Sequence, residues 1–218
     1  MTLTDDLLAR VEGALLDPYL TPNEVRARVA SWRRLGVRRV LVFPGLLDAL
    51  GGEPSEEMEV AGAVSFPAGG ATLTNKRVEL LECVRLGAKA ATVVLSPGLV
   101  MAAEAPALER EMSALLSTAP ELQVRFLVDL ARLSDSAAAV FARVLKEVRP
   151  SHVVTAGGVY GPPCGPDRVS WFRARLTRDV RMAARASFAG AAEAAAYLDA
   201  GADLLCTDRP ELLAGGGP

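Results

Sequence analysis

The feature that most constrains this chain is a rhythm: a helical stretch, a glycine, then a short, almost wholly apolar run, repeated along its length. LGVRRVLVF (35–43), LGAKAATVVL (86–95) and AGADLLCT (200–207) are three copies of it. A half-solvated strand alternates polar and apolar residues. A run that is apolar throughout is covered on both faces, as parallel strands between helices are. Seven such runs predict strands at 37–43, 60–66, 90–95, 124–128, 152–156, 180–184 and 202–207, with a weaker eighth near 14–16.

Helices are expected between them. The stretch 22–35 follows Thr21, an N-cap residue, and ends at Gly36, suited to the left-handed C′ position. Helical apolar spacing also marks 75–86, 104–116, 135–148, 167–176 and 190–200. Eight strand–helix units close into a single (β/α)8 TIM barrel, predicted over 1–214, with 215–218 as a loose tail. An open doubly wound sheet is the alternative, but no GxGxxG follows the first strand.

Composition removes several functions. Half of the 218 residues are apolar, enough for a large core. A net charge of −2 gives no basic field for nucleic acid or an anionic membrane. No apolar stretch reaches the roughly 20 residues of a membrane span. The acidic, amphipathic start (MTLTDDLLARVEG) is not a signal peptide. Cys83, Cys164 and Cys206 are scattered and there is one histidine, so no metal site and no cofactor is expected. A reduced, cytoplasmic setting follows as the expectation. Of 24 cations only Lys76, Lys89 and Lys146 are lysines, which reads as a GC-rich genome and leaves three side chains for amine chemistry.

Barrel active sites lie at the C-terminal ends of the strands. That rule selects Asp17, Phe43 and Pro44, 66–76, Ser96 and Pro97, Asp129, 156–167, 185–187, and Thr207 and Asp208.

At Phe66 the chain reads FPAGGATLTNK (66–76), similar to the segment after the third strand of deoxyribose-phosphate aldolases, with Phe66, Pro67, Gly69 and Lys76 in register. LLDPYLTPNEV (15–25), VLVFP (40–44), LGAKAATVVLSPG (86–98), FLVDLARLSD (126–135), HVVTAGGVYG (152–161) and LDAGADLLCTD (198–208) resemble further segments of that family in the right order, over roughly residues 10–210. Asp129 stands where the family has Glu. The resemblance implies an aldolase barrel, often dimeric, in which one lysine forms a Schiff base with an aldehyde, a second lowers its pKa, and an aspartate moves protons. Carried over position by position, those roles fall on Val154, Ala183 and Thr92. A further family lysine falls on Asp17. The glycine pair that offers N–H groups to the substrate phosphate falls on Ala186 and Ser187, and the arginine after it on Ala189. No lysine occurs after Lys146, so a slip in register restores none, and arginine stays protonated. The resemblance therefore implies the fold while removing the covalent step.

Several readings stay open. Lys76 is either a phosphate-binding or reactive amine at the mouth, or a solvated helix lysine paired with Glu79 or Glu82. Asp129, Arg185 and Asp208 make either a mixed-charge ligand site in the mouth or a mutually neutralising ion network. Asp17 repels phosphate. Asp208 can instead be an N-cap, with Pro210 in the first turn. His152 begins strand six, on the face away from chemistry, and reads as structural. Cys164 reads as the exposed cysteine of its loop, Cys83 as helix packing and Cys206 as barrel wall. TDRPELL (207–213) is also similar to the last strand of glycerophosphodiester phosphodiesterases, which need a histidine pair this chain lacks.

Three functions compete: a catalytically silent barrel that binds a small molecule or a protein partner, a lyase with a relocated apparatus on Lys76, Asp129 and Arg185, and non-covalent acid/base chemistry on an unphosphorylated substrate. The first two need opposite fates for Lys76.

Overall fold

The computed structural model describes residues 3–50, 58–155 and 162–215. Its eight parallel strands close into one barrel in sequence order: β1 (Val11–Leu15), β2 (Arg39–Val42), β3 (Glu59–Val64), β4 (Ala90–Val94), β5 (Gln123–Val128), β6 (His152–Thr155), β7 (Arg181–Arg185) and β8 (Leu204–Thr207). The expected (β/α)8 barrel is the observed fold, and β8 closes on β1 through Val11 opposite Leu205.

The weak eighth strand is β1, and its sequence explains the weakness. VEGAL carries a glutamate and a glycine where a strand signal would carry apolar side chains. Gly13 faces the indole of Trp32 so closely that a Cβ there would run into the ring. Glu12, 3% exposed, serves the barrel interior.

The helices surround the sheet: α1 (Leu3–Ala9), α2 (Pro22–Leu35), α3 (Leu73–Arg85), α4 (Pro97–Met101), α5 (Ala105–Thr118), α6 (Asp135–Val148), α7 (Pro166–Arg173) and α8 (Ala191–Asp199). Thr21 caps α2 in a reciprocal capping box with Glu24, and Gly36 closes it at φ 100°, as the sequence predicts. Two details differ. A 3-10 turn, Pro44–Leu50, follows β2, and another, Pro210–Ala214, follows β8. The N-cap of the second is Arg209, so Asp208 does not cap it.

Inside the barrel, side chains stack in layers. The end at the strand N-termini is polar. Arg125 of β5, 2% exposed, donates from Nη1 to Glu12 Oε1 of β1 at 2.5 Å and from Nη2 to Glu59 of β3, while Gln123 accepts from its Nε at 3.0 Å. Above this lies an apolar cluster, mostly of small side chains, formed by Ala14, Leu41, Ala61, Ala63, Ala90 and Cys206. The uppermost layer is Val94, Leu127, Val154, Ala183 and Leu204, roofed by Phe66.

His152 sits beside this polar end, 3% exposed, with Nδ1 lacking a hydrogen-bond partner. Its structural reading from the sequence agrees with this place. Burial, reinforced by the guanidinium groups of Arg125, Arg181 and Arg39, pushes its pKa down to about 3. The unfolded chain takes up a proton near the ordinary imidazole pKa of about 6.5 that the folded chain refuses until far lower pH. Stability present above that value is therefore lost as pH falls toward 3, at up to about 1.4 kcal/mol per pH unit. Replacing His152 with Gln removes this contribution. Urea unfolding at pH 7.5 and pH 4.5 should show the variant losing less stability between the two than the parent; equal losses would mean that His152 is not held neutral.

Candidate functional site

Three loops at the C-terminal ends of β3, β4 and β5 enclose a cavity of about 390 Å3. The first is the FPAGG loop. It turns at Ser65 (φ 56°), whose N–H donates to Glu79 Oε2 at 2.8 Å, and the Phe66–Pro67 bond is cis. Gly69 has φ 66°, and a Cβ there would collide with the carbonyl oxygen of Leu95 at the end of β4. Thr72 then caps α3, its Oγ1 accepting from the Asn75 N–H at 3.3 Å.

Lys76, one turn into α3, corrects the reading of a solvated helix lysine. It is fully buried rather than solvated. Its Nζ donates to Glu111 Oε1 of α5 at 2.7 Å and to Ser96 Oγ at 3.2 Å, not to Glu79 or Glu82. Glu111 also accepts from Ser96 Oγ at 2.9 Å. This cluster fixes the β4–α4 turn from behind, and the ammonium does not line the cavity. The whole FPAGGATLTNK segment thus has a structural account: a roof, a close backbone crossing, a cap and a buried ion pair.

The cavity walls are mainly apolar, from Phe66, Val94, Leu95, Val100, Leu127 and Leu133. Among its charged groups are Asp129 and Arg132. Asp129 is half-buried; burial raises its pKa against the opposing influence of the Ala131 and Arg132 backbone and the Arg132 charge. Its Oδ1 is buried with no hydrogen-bond partner. Arg185, at the end of β7, lays its guanidinium 5.4 Å from the centroid of the Phe66 ring.

The other sequence candidates scatter. Asp17 is exposed and accepts from the Tyr19 N–H at 2.9 Å. Asp208 is exposed and accepts from Ser187 Oγ at 3.1 Å. Neither lines the cavity. Ala186 is buried and Ser187 exposed. Cys164 is 5% exposed, correcting its reading as an exposed cysteine; burial raises its pKa and makes the thiolate scarcer. Cys83 and Cys206 are buried, and burial pushes the Cys83 thiol up to about 12. Residues 156–161 of the β6–α7 loop, selected by the strand-end rule, lie outside the described residues.

At the centre, Val154 stands in register with Leu127 on one side and Ala183 on the other. Thr92 is 1% exposed and its hydroxyl has no hydrogen-bond partner. Lys89 and Lys146 are exposed, before β4 and in the last turn of α6. Three groups escaped the sequence reading. Ser96 was selected by position but not as a link to Lys76; Glu111 sits on a helix whose apolar face was legible, yet nothing local marks its burial; Arg132 occupies a 3-10 turn too short for a periodic signal. Among the described residues no group of three metal-ligating side chains converges, and no helix is long and apolar enough to cross a membrane.

A closed parallel eight-stranded barrel with alternating helices and a cavity over its strand ends defines a (β/α)8-barrel protein. No family model matches the chain. It is 30% identical over 204 residues to the deoxyribose-phosphate aldolase of Nocardia farcinica, covering 92% of this chain and 89% of that one. It is 25% identical over 213 residues to that of Microcystis aeruginosa, covering 96% and 94%. The solved tetrameric deoxyribose-phosphate aldolase of Aeropyrum pernix superposes with a TM-score of 0.89 at 22% identity, over 97% of this chain and 91% of that one. The chain belongs to the deoxyribose-phosphate aldolase family.

The Lys76 cluster carries a direct expectation. Lys76→Met leaves Glu111 buried without its cation and should cost about 3–5 kcal/mol. Lys76→Met with Glu111→Leu should recover most of that loss. Chemical denaturation of the three proteins measures it, and an unchanged single variant would remove the ion pair from the account.

Proposed function

We propose that this chain is a family member without Schiff-base aldolase activity, a barrel that binds a small molecule or a protein partner in a regulatory or scaffolding role. The observation that carries this reading is the layer at the family's reactive position. Val154 and Ala183 pack there with Val94, Leu127 and Leu204, and the chain's three lysines all lie elsewhere. A Schiff base needs an unprotonated amine facing the carbonyl carbon. Valine offers none, and the alanine opposite supplies no neighbouring charge to lower an amine's pKa.

The relocated-lyase reading requires Lys76 as the amine. Its burial weighs against that: the side chain is fully buried and already engaged with the Glu111 carboxylate at 2.7 Å and the Ser96 hydroxyl at 3.2 Å, away from the cavity lining. Asp129 favours a different second reading, non-covalent acid/base chemistry on an unphosphorylated substrate. A half-buried carboxyl with a raised pKa, set in an apolar cavity, is a reasonable proton carrier. Loss of phosphate recognition belongs to the same proposal, because Ala186 and Ser187 stand where the family has its glycine pair. A cytoplasmic setting is part of it too, in keeping with three unpaired cysteines.

Incubation with acetaldehyde or deoxyribose 5-phosphate and borohydride, followed by intact-mass measurement, should give no adduct. Val154→Lys should destabilise the barrel by placing an amine in the apolar layer, and should restore no aldol cleavage, since neither a helper amine nor a proton-transfer carboxylate stands beside it. A stoichiometric adduct on the parent protein, or cleavage by the single variant, would overturn the reading.

A further inference from the structure

Each loop around the cavity over β3, β4 and β5 is held in place by the fold itself. Gly69 brings the FPAGG loop against the Leu95 carbonyl. The buried Lys76–Glu111–Ser96 cluster pins the turn between Leu95 and Pro97, two residues of the lining. Leu130, fully buried, anchors the turn after β5 that brings Asp129, Arg132 and Leu133 to the wall. Walls held in this way stand before a ligand arrives, which spares much of the ordering cost of binding. The floor is continuous with the core, since Val94 and Leu127 belong also to the uppermost layer of the barrel interior, with Phe66 roofing it. At the rim stands Met101, 54% exposed. A single exposed apolar side chain is ordinary; this one borders a concave apolar wall. Asp129 and Arg132 of the lining act on each other, and most of the rest is hydrocarbon. A volume of about 390 Å3, at about 30 Å3 for each water-sized group, has room for roughly a dozen non-hydrogen atoms.

We propose that this cavity binds the hydrocarbon body of a small organic molecule, an aliphatic group of up to roughly ten carbon atoms, with Met101 covering its outer side. The inference rests on the small-molecule form of the reading above and supplies its ligand class. Recognition comes from apolar area removed from water, so the ligand's polar group, whatever its charge, lies on the open side. The occupant is a free molecule rather than a protein segment. The apolar wall is concave and bounded by three loops, whereas Leu73, Val78 and Leu81, the exposed apolar side chains that a flat docking surface would use, lie on α3 outside the lining.

The test uses the whole chain and the straight-chain primary alcohols from butanol to decanol, which share one head group and differ only in hydrocarbon. Chemical-shift titration by NMR should show saturable binding, with affinity rising up to about fourfold for each added methylene until the cavity is full. The shift changes should gather on the cavity lining. Met101→Ser removes the cover at the rim and should weaken the longer alcohols on the order of fivefold. Ala68→Trp takes up part of the volume and should end the rise at a shorter alcohol. Both positions are exposed, so neither variant requires the core to repack. Leu81→Ser removes exposed apolar surface on α3 and should change nothing, which separates the cavity from adsorption elsewhere. No saturable binding, affinity that does not rise with chain length, shift changes centred on α3, or unchanged titrations in both lining variants would overturn the proposal. An alcohol has no carbonyl and forms no imine, so this experiment and the borohydride experiment can fail separately.

Discussion

Arg125 is the interaction on which the barrel interior is arranged. Its guanidinium lies inside the closed sheet and reaches from β5 to carboxylates on β1 and β3, strands that are not its neighbours. Taking a guanidinium out of water is costly, and two carboxylates and a glutamine oxygen are needed to offset it. That requirement explains a glutamate near the start of β1 and another at the start of β3. His152, beside the same cation, is held neutral chiefly by burial, with the Arg125 charge reinforcing it. This polar cluster lies at the end of the strand N-termini, and the side chains packed above it are mainly apolar.

The consequence at the other end is chemical. A barrel that carries an amine at its centre also has to provide polar neighbours for it. Here the layer of Val94, Leu127, Val154, Ala183 and Leu204 provides none, and Thr92 lies buried with its hydroxyl unsatisfied. A single unpaired hydroxyl costs far less than an unpaired carboxylate would in the same place. The packing of Val154 and Ala183 in one apolar layer supports the proposal made above that the family's covalent step is absent here.

Retention of the FPAGG segment has a different origin. Phe66 roofs the interior, Gly69 allows the loop to cross Leu95, Thr72 caps α3, and Lys76 ties α3 to α5 and the β4–α4 turn. These are demands of the fold, and they hold whether or not any reaction takes place. A family motif can therefore persist for packing alone, because packing and catalysis place separate constraints on it.

The sequence by itself determined the architecture. Apolar runs alternating with helices leave few folds other than a barrel, because strands covered on both faces need helices outside and a filled interior within. It determined α2 almost to the residue, since Thr21, Glu24 and Gly36 act on neighbours a turn away. It also determined that no lysine follows Lys146. Tertiary structure alone decided the partners of the charged groups. Lys76 and Glu111 are 35 residues apart, and Arg125 and Glu12 are 113 apart; no local pattern links such pairs, and the burial that makes each interaction strong exists only once the barrel closes. The same holds for Asp129, which lines a cavity only because three loops from separate strands fold around it.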